Sequence, residues 1–221
     1  MIDKEKQKAF WKETRETIVF VIVAVIIIRF FIAELRYIPS GSMLPTLVGD
    51  QNPWKADRIV VEKLTKFPNI IKNQRFESEP KRGDIMIFYP PGVRMKTSLW
   101  RHFCRLTGFF CNREDTAYIK RVVGLPGEKF EIVRDVDGKN LVMINGEPLE
   151  EDYIMSEYDY PKCTVDMFCG PFVIPDGHYM MMGDNRGNSI DSRYWGPLAK
   201  ERFIGRAICV FFPFSRIKGL N

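Results

Sequence analysis

Histidine is nearly absent from this 221-residue chain, which has only His102 and His178, far apart in sequence. There is no His-x-x-x-His and no Cys-x-x-Cys spacing. That excludes the usual zinc centres and the helical metalloprotease motif, and no metal or other cofactor is expected. A Ser-His-Asp triad would have to use one of the two histidines, and neither sits in a recognisable catalytic setting. Cysteine is also sparse: five residues are too few to frame a disulfide mini-domain. Cys104 with Cys111, and Cys163 with Cys169, are close enough in sequence to pair in an oxidising compartment or to stay as thiols. Cys209, in the apolar run from Ala207 to Phe212, reads as a small buried residue. A strong charge of one sign is missing as well. The 33 basic residues stand against 28 acidic ones, and the net +5 is spread along the chain. This gives little support to a nucleic-acid partner and suits weak attraction to anionic lipid at least as well. No internal repeat or low-complexity tract appears. With 45% hydrophobic residues the chain is globular and has enough length to bury a core, as one large domain or two small ones.

Long apolar runs are limited to one. Residues 1–16 are polar and carry Lys4, Lys6, Lys8, Lys12 and Arg15. The charge-free stretch from Thr17 to Ile28 follows, then Arg29, then Phe30 to Ala33. A bilayer span needs about 20 residues, and a snorkelling Arg29 lets the run extend from Thr17 to Leu35. The expectation is an uncleaved transmembrane anchor over 17–35. A cleaved signal peptide would need a small-x-small site, for which Ala33-Glu34-Leu35 is a poor substitute. A buried core helix apolar on all faces would need complete wrapping. Basic residues flank the N-terminal side, which predicts a cytoplasmic segment 1–16 and export of residues 36–221.

Beyond the anchor the pattern changes to short β-rich runs punctuated by Gly and Pro. Strands are expected over Asp57–Leu64, in the stretch after Arg82-Gly83-Asp84 to Tyr89, and over Tyr118–Val123. Further strands are expected over Lys129–Val133 and Leu141–Ile144, as a hairpin around Asp137-Gly138, then at His178–Met182 and Phe203–Phe212. The fold class expected is mostly β: an N-terminal transmembrane helix, then a β-rich extracytoplasmic domain with a smaller inserted β and loop region. Insertions fall at about 92–116 and 134–174. In the first, Arg94, Lys96, Arg101 and Arg105 alternate with Trp100, Phe103, Phe109 and Phe110. It reads either as a lipid-contacting basic lid or as a surface loop with its own apolar cluster.

Directly after the anchor, Pro39 and Pro45 bracket Ser40, Gly41 and Ser42. Fixed φ angles and two missing backbone donors make this a shaped bend that can aim a serine. A serine hydroxyl needs a base before it becomes a nucleophile. Lys120 is the candidate, in a mostly apolar strand. Burial lowers a lysine pKa from about 10.4 and frees the amine to accept a proton. Spacing alone leaves open the reading of a solvated strand lysine beside Arg121.

Four segments occur in order: Ser40-Gly-Ser-Met-Leu-Pro-Thr46, Arg82-Gly-Asp84, Tyr118-Ile-Lys-Arg-Val-Val-Gly-Leu-Pro-Gly127, and Gly183-Asp-Asn-Arg-Gly-Asn-Ser-Ile-Asp-Ser-Arg193. Together they resemble the sequence boxes of bacterial type I signal peptidases, the leader peptidase family. The resemblance implies a membrane-bound serine endopeptidase with a Ser-Lys dyad. Such an enzyme removes signal peptides from exported preproteins after Ala-x-Ala-like sites, at the bacterial cytoplasmic membrane. Carried over box by box, Ser42 is the nucleophile and Lys120 the general base. Ser40 is the oxyanion-hole serine, Ser189 orients the lysine amine, and Asp191 with Arg193 forms a supporting ion pair. Ile38, Met43, Leu47, Tyr118 and Ile119 match pocket-lining positions, and Asp184, Asn185 and Arg186 look structural. The implied partners are signal peptides, the lipid bilayer and the secretion translocon. The chain departs from the pattern in three places. Arg36 stands where an apolar residue is common near the pocket, residues 51–56 lengthen the link after the serine box, and the 92–116 insert has no assigned role. Three other readings share some features. One is a pilus or conjugation maturation protease with few substrates, and one is an inactive anchored module that grips exported chains. A self-cleaving repressor would need a helix-turn-helix where the apolar run lies.

Overall fold

The computed structural model describes residues 4–27, 33–62, 79–93, 117–157, 160, 163 and 167–220. Arg29, the Cys104/Cys111 pair and the 92–116 insert from Arg94 onward lie outside the described residues. The chain opens with helix α1 (Lys4–Ile27). Among the described residues no helix is long and apolar enough to cross a membrane. The expected span over 17–35 is corrected at its C-terminal end. Thr17–Ile27 continue a helix whose first half is charged, and Ala33–Leu35 belong to strand β1 (Ala33–Tyr37), paired with Glu62–Val60. Leu35 and Ala33 satisfy their backbone groups in a sheet ladder there, as the alternation of Glu34 and Arg36 with apolar neighbours permits.

The body of the molecule is antiparallel β structure. Following β1 come β2 (Arg58–Glu62), β3 (Ile85–Phe88), β4 (Tyr118–Gly124), β5 (Lys129–Arg134), β6 (Asn140–Ile144) and β7 (Glu147–Pro148). Then come β8 (Phe172–Val173), β9 (His178–Met182), the one-turn helix α2 (Ser192–Trp195), β10 (Leu198–Ala199), β11 (Phe203–Phe212) and β12 (Lys218–Gly219). The large sheet runs β1-β2-β11-β3-β4-β9-β10, with β12 on β11, and the small one runs β7-β6-β5-β8. All four residues of β3 are buried, as a central strand covered on both faces requires. Ile85 and Ile87 face one cluster, with Ile38, Met43, Leu47, Ile59, Val61 and Ile119. Met86 and Phe88 face a second, with Val122, Tyr179 and Met181. The small sheet has its own core around Phe130, Val142 and Met180. Its β5–β6 hairpin closes between Arg134 and Asn140, and Asn145-Gly146, both with positive φ, turn β6 into β7. The short strands β7, β8, β10 and β12, and α2, carry too few residues for a periodic signal. Of the two cysteine pairs, Cys163–Cys169 is a disulfide, and Cys209 is a free thiol, half-buried rather than fully buried.

One constraint in this fold bears directly on the serine bend. The loop between β1 and β2 folds back on itself: Ile38 donates its N–H to Asp57 O, and Asp50 to Ile38 O. The buried Asp57 carboxylate accepts from Val48 N–H at 2.8 Å and from Arg216 at 2.6 Å. At the closest approach, a Cβ on Gly49 would stand 1.7 Å from Ser40 O. Gly49→Ala must therefore open the loop, with an expected cost of about 2 kcal/mol or more. Gly219→Ala, where a Cβ meets nothing within 4 Å, serves as control. Thermal melts of both variants test this, and equal midpoints would show that the loop is not held in this way.

Candidate active site

Ser42 sits in a single 3₁₀ turn, Gly41–Met43, ahead of Leu44. Met43 and Leu47 are fully buried beneath it, and Leu47 N–H bonds Met43 O at 2.8 Å. These apolar anchors fix the turn on the first core cluster, with the Ser42 hydroxyl against Lys120 of β4. Lys120, on β4 beside Met86 of β3, is 4% exposed. Its Nζ lies 2.7 Å from Ser42 Oγ, although 78 residues separate the two in sequence. The Tyr118 ring lies 5.8 Å from the same nitrogen. Ser40 Oγ stands 3.4 Å from Ser42 Oγ.

Three charges act on the amine, Asp191, Asp184 and Arg193, and each belongs to a mutually bound pair. Asp191 takes Arg193 through both oxygens, Nε and Nη2 at 2.8 Å each, and also accepts from Ser189 Oγ at 2.7 Å and Gly183 N–H at 3.1 Å. Asp184 takes Arg121 the same way, at 2.9 and 2.6 Å. All four residues are buried, where a lone carboxylate or guanidinium would be costly and a bidentate pair is not. Burial pushes the Asp191 carboxyl up, but Arg193, Ser189 and Gly183 outweigh it and hold it below the usual carboxylate range. For Lys120 the order reverses. Burial lowers its pKa, Asp191 and Asp184 work against that, Arg193 works with it, and the amine ends at about 8. A pair that is nearly neutral overall cannot restore the full charge of the lysine.

Of the residues expected from sequence, Ser40, Ser42 and Lys120 converge at the turn, and Ser189, Asp191 and Arg193 form one hydrogen-bonded group behind it. Ser189 donates to Asp191, and among the described residues it makes no hydrogen bond to Lys120. Its Oγ instead lies against Gly183, whose Cβ position is 2.3 Å from Ser189 Oγ and 2.5 Å from Ser42 O. Ile38, Met43, Leu47 and Ile119 are buried in one cluster, and Tyr118 is half-buried against the second cluster, beside Phe88. Sequence reasoning gave Asn185 no part in the site. It donates its main-chain N–H to Ser42 O and its Nδ2 to Gly41 O, both at 3.1 Å, and so grips the turn from behind. Arg121 also reaches Thr46 Oγ1 at 3.2 Å, which ties the far end of the bend to β4. The only sequence signal for either was a place inside a box. Among the described residues no group of acidic, histidine or cysteine side chains could hold a metal ion.

A family model described as signal peptidase, peptidase S26, matches residues 11–212. Signal peptidase I of Leptolyngbya laminosa is 38% identical over 208 residues, 93% of this chain and 82% of that protein. Probable signal peptidase I-1 of Synechocystis sp. is 37% identical over 211 residues, 93% of this chain and 86% of that one. Among solved structures, a signal peptidase I from Enterococcus faecalis is 28% identical and covers 58% of this chain and 96% of its own, with a TM-score of 0.40.

The position of Lys120 sets a stability consequence. Its pKa is about 8 in the fold against an ordinary lysine value of 10.5, so below pH 8 the folded state carries a buried cation that the unfolded chain solvates freely. That cost, ~3 kcal/mol, is fully present at pH 7 and is relieved as pH rises from about 8 to 10.5. Lys120→Met should therefore melt several degrees higher than the parent at pH 7, and the gap should narrow toward pH 10. A gap that is absent, reversed or constant with pH would contradict the burial account. Gly183→Ala should do the opposite, lowering the melting midpoint as the new methyl forces Ser189 and the Ser42 carbonyl apart.

Proposed function

Because the chain belongs to the signal peptidase family S26 and is a serine endopeptidase, we propose that it removes N-terminal signal peptides from exported preproteins, cutting after Ala-x-Ala-like sites with Ser42 as nucleophile and Lys120 as general base. One observation carries the assignment of roles: a buried lysine amine with a lowered pKa lies 2.7 Å from the hydroxyl of a serine held on a rigid turn. In the neutral form the contact reverses, and the Ser42 hydroxyl donates to the amine lone pair. As Oγ adds to the scissile carbonyl, Lys120 takes the proton. The tetrahedral oxyanion is met by the Ser40 hydroxyl and the Ser42 N–H, donors fixed in advance by the turn. The lysine then protonates the leaving amine, and a water activated by the same amine hydrolyses the acyl ester. Asp191, Arg193 and Ser189 hold the wall against which the amine is set. Ile38, Met43, Leu47, Tyr118 and Ile119 form the apolar pockets that admit small side chains and reject large ones by clash.

The reading extends to a bilayer. Residues 1–16 are cytoplasmic, the apolar stretch from Thr17 enters the lipid, and the β-rich domain, which starts at Ala33 rather than 36, lies on the extracytoplasmic or periplasmic side of the bacterial cytoplasmic membrane. Three observations support this. From Ile18 to Val25 the large apolar side chains of α1 are about half exposed or more on every side, which calls for a non-aqueous partner. The Cys163–Cys169 disulfide suits an oxidising compartment. Arg58 lies 4.9 Å from the Trp54 ring and 4.8 Å from the Phe212 ring, beside the exposed Phe214, a mixture of aromatic and basic groups suited to a headgroup region. Beyond signal peptides and lipid, the translocon that delivers the preprotein is the remaining proposed partner.

Detergent-solubilised protein should cut a preprotein bearing an Ala-x-Ala site after the second Ala, and Ser42→Ala and Lys120→Ala should each lose at least about a thousandfold in kcat/KM. The base must be neutral, so kcat/KM should fall about tenfold per pH unit below a midpoint near 8. Undiminished cutting by Lys120→Ala, or a rate flat from pH 6 to 9, would require a different base.

A further inference from the structure

We propose that Arg36, paired with Glu34, forms the wall that receives the third side chain before the cleaved bond, and that this wall selects a small polar residue there (Ser, Thr or Asn) over an aliphatic one. The proposal rests on the peptidase reading above and names the substrate preference of that same site.

The path of a bound peptide is set by which strand edge is open. Strand β9 pairs with β4 only between Arg121 and Gly124. Among the described residues, the Tyr118–Lys120 edge facing the serine turn has no strand partner. An extended peptide can add to such an edge. With its scissile carbonyl at Ser42, its bound portion has to run from Lys120 toward Tyr118, because β9 takes the edge beyond Arg121. On the other side of that path stand the residues that lead into the serine turn, Ile38 and then Arg36.

Side-chain alternation places Arg36 in line with the pocket. Residues 34, 36 and 38 share one face of the extended chain. In register, Arg36 lies opposite Ile59 and Glu34 opposite Val61. Ile59 and Val61 are fully buried in the cluster that also holds Ile38, Met43, Leu47 and Ile119. The ion pair therefore stands on the same apolar floor as the residues beneath Ser42. Two residues of an extended peptide advance about 6.6 Å, and so does the step from Ile38 to Arg36. The side chain next to the cut meets Ile38, Met43 and Leu47, and the one two residues earlier meets Arg36. The side chain between them points to the other face.

The chemistry of the pair then determines what fits. Arg36 Nη2 is 2.8 Å from Glu34 Oε1, with both side chains about four-fifths buried. Arg36 Nε is buried and, among the described residues, has no hydrogen-bond partner. Once the guanidinium turns toward the peptide, a hydroxyl or amide oxygen can accept from that donor. An aliphatic side chain removes remaining water from the pair and gives nothing back. A carboxylate gains little, because Glu34 offsets the attraction of Arg36 at the same spot.

The test uses full-length protein in detergent and substrates identical except at the third residue before the cut: Ser, Thr, Asn, Ala, Val, Leu or Asp. A companion series varies the second residue. The expected kcat/KM for Ser, Thr or Asn exceeds that for Val or Leu by about tenfold, and the companion series shows no such contrast. Replacing both charges, Glu34→Leu with Arg36→Leu, removes both members of the pair and should invert the order in favour of Val and Leu. A wild-type preference for aliphatic residues, or the same ranking in the double variant, overturns the proposal. The wild-type ranking decides alone should the double variant not fold. If the Ala-x-Ala parent is cut by wild type and not by Ser42→Ala while the ranking fails, only this inference is lost. If the parent is not cut at all, the peptidase reading fails and takes this inference with it.

Discussion

A lysine amine removed from water yet set beside two buried ion pairs is the constraint on which the rest of the structure depends. Removing it from water lowers its proton affinity, and unpaired carboxylates nearby would raise it again. The fold resolves the conflict by giving each carboxylate its own guanidinium. Asp191 is held through both oxygens by Arg193, and Asp184 by Arg121. Each carboxylate is bound to its own guanidinium, so burial prevails at Lys120 and the amine reaches about 8. The same pairs are mechanical parts: Arg121 also reaches Thr46, and Asp191 also takes the N–H of Gly183. The electrostatics and the positioning of the site therefore come from the same side chains.

The proposed base is useful only if the serine arrives at the right distance, and that depends on close backbone contact. Gly49 lies against Ser40 O, and Gly183 against Ser42 O, at separations where a methyl group has no room. Asn185 holds the turn from behind with two hydrogen bonds, and Met43 and Leu47 hold it from below. The residues that follow the turn, up to Gly49, and a distant stretch, Gly183 to Asn185, thus close on one 3₁₀ turn. A site assembled on short, well-buried contacts can keep its geometry without a ligand to organise it.

Much of this was legible in the order of residues, and the failures have physical causes. The longer strands were readable because β-branched and apolar residues alternate between Gly and Pro punctuation, as at Arg58–Glu62 and His178–Met182. The extent of the apolar N-terminal segment was not, because hydropathy does not distinguish Leu35 in a strand from Leu35 in a span; only pairing with Val60 does. Ser189 was expected on the lysine and is bonded to Asp191 instead, since a short side chain takes the acceptor its own turn presents. Asn185 read only as structural, because its two partners lie 143 and 144 residues away.

What the sequence by itself determined was local: a proline-bracketed serine, a lysine in an apolar strand, a β-rich body, and ordered boxes with a family likeness. These are set by backbone restriction and side-chain periodicity, which act over a few residues. Only the tertiary structure decided that Lys120 meets Ser42, that the surrounding charges pair off before they can recharge the amine, and that Glu34 and Arg36 share a floor with Ile38. Those outcomes depend on desolvation and on distances of about 3 Å between groups far apart along the chain, and such distances exist only after the sheet has closed.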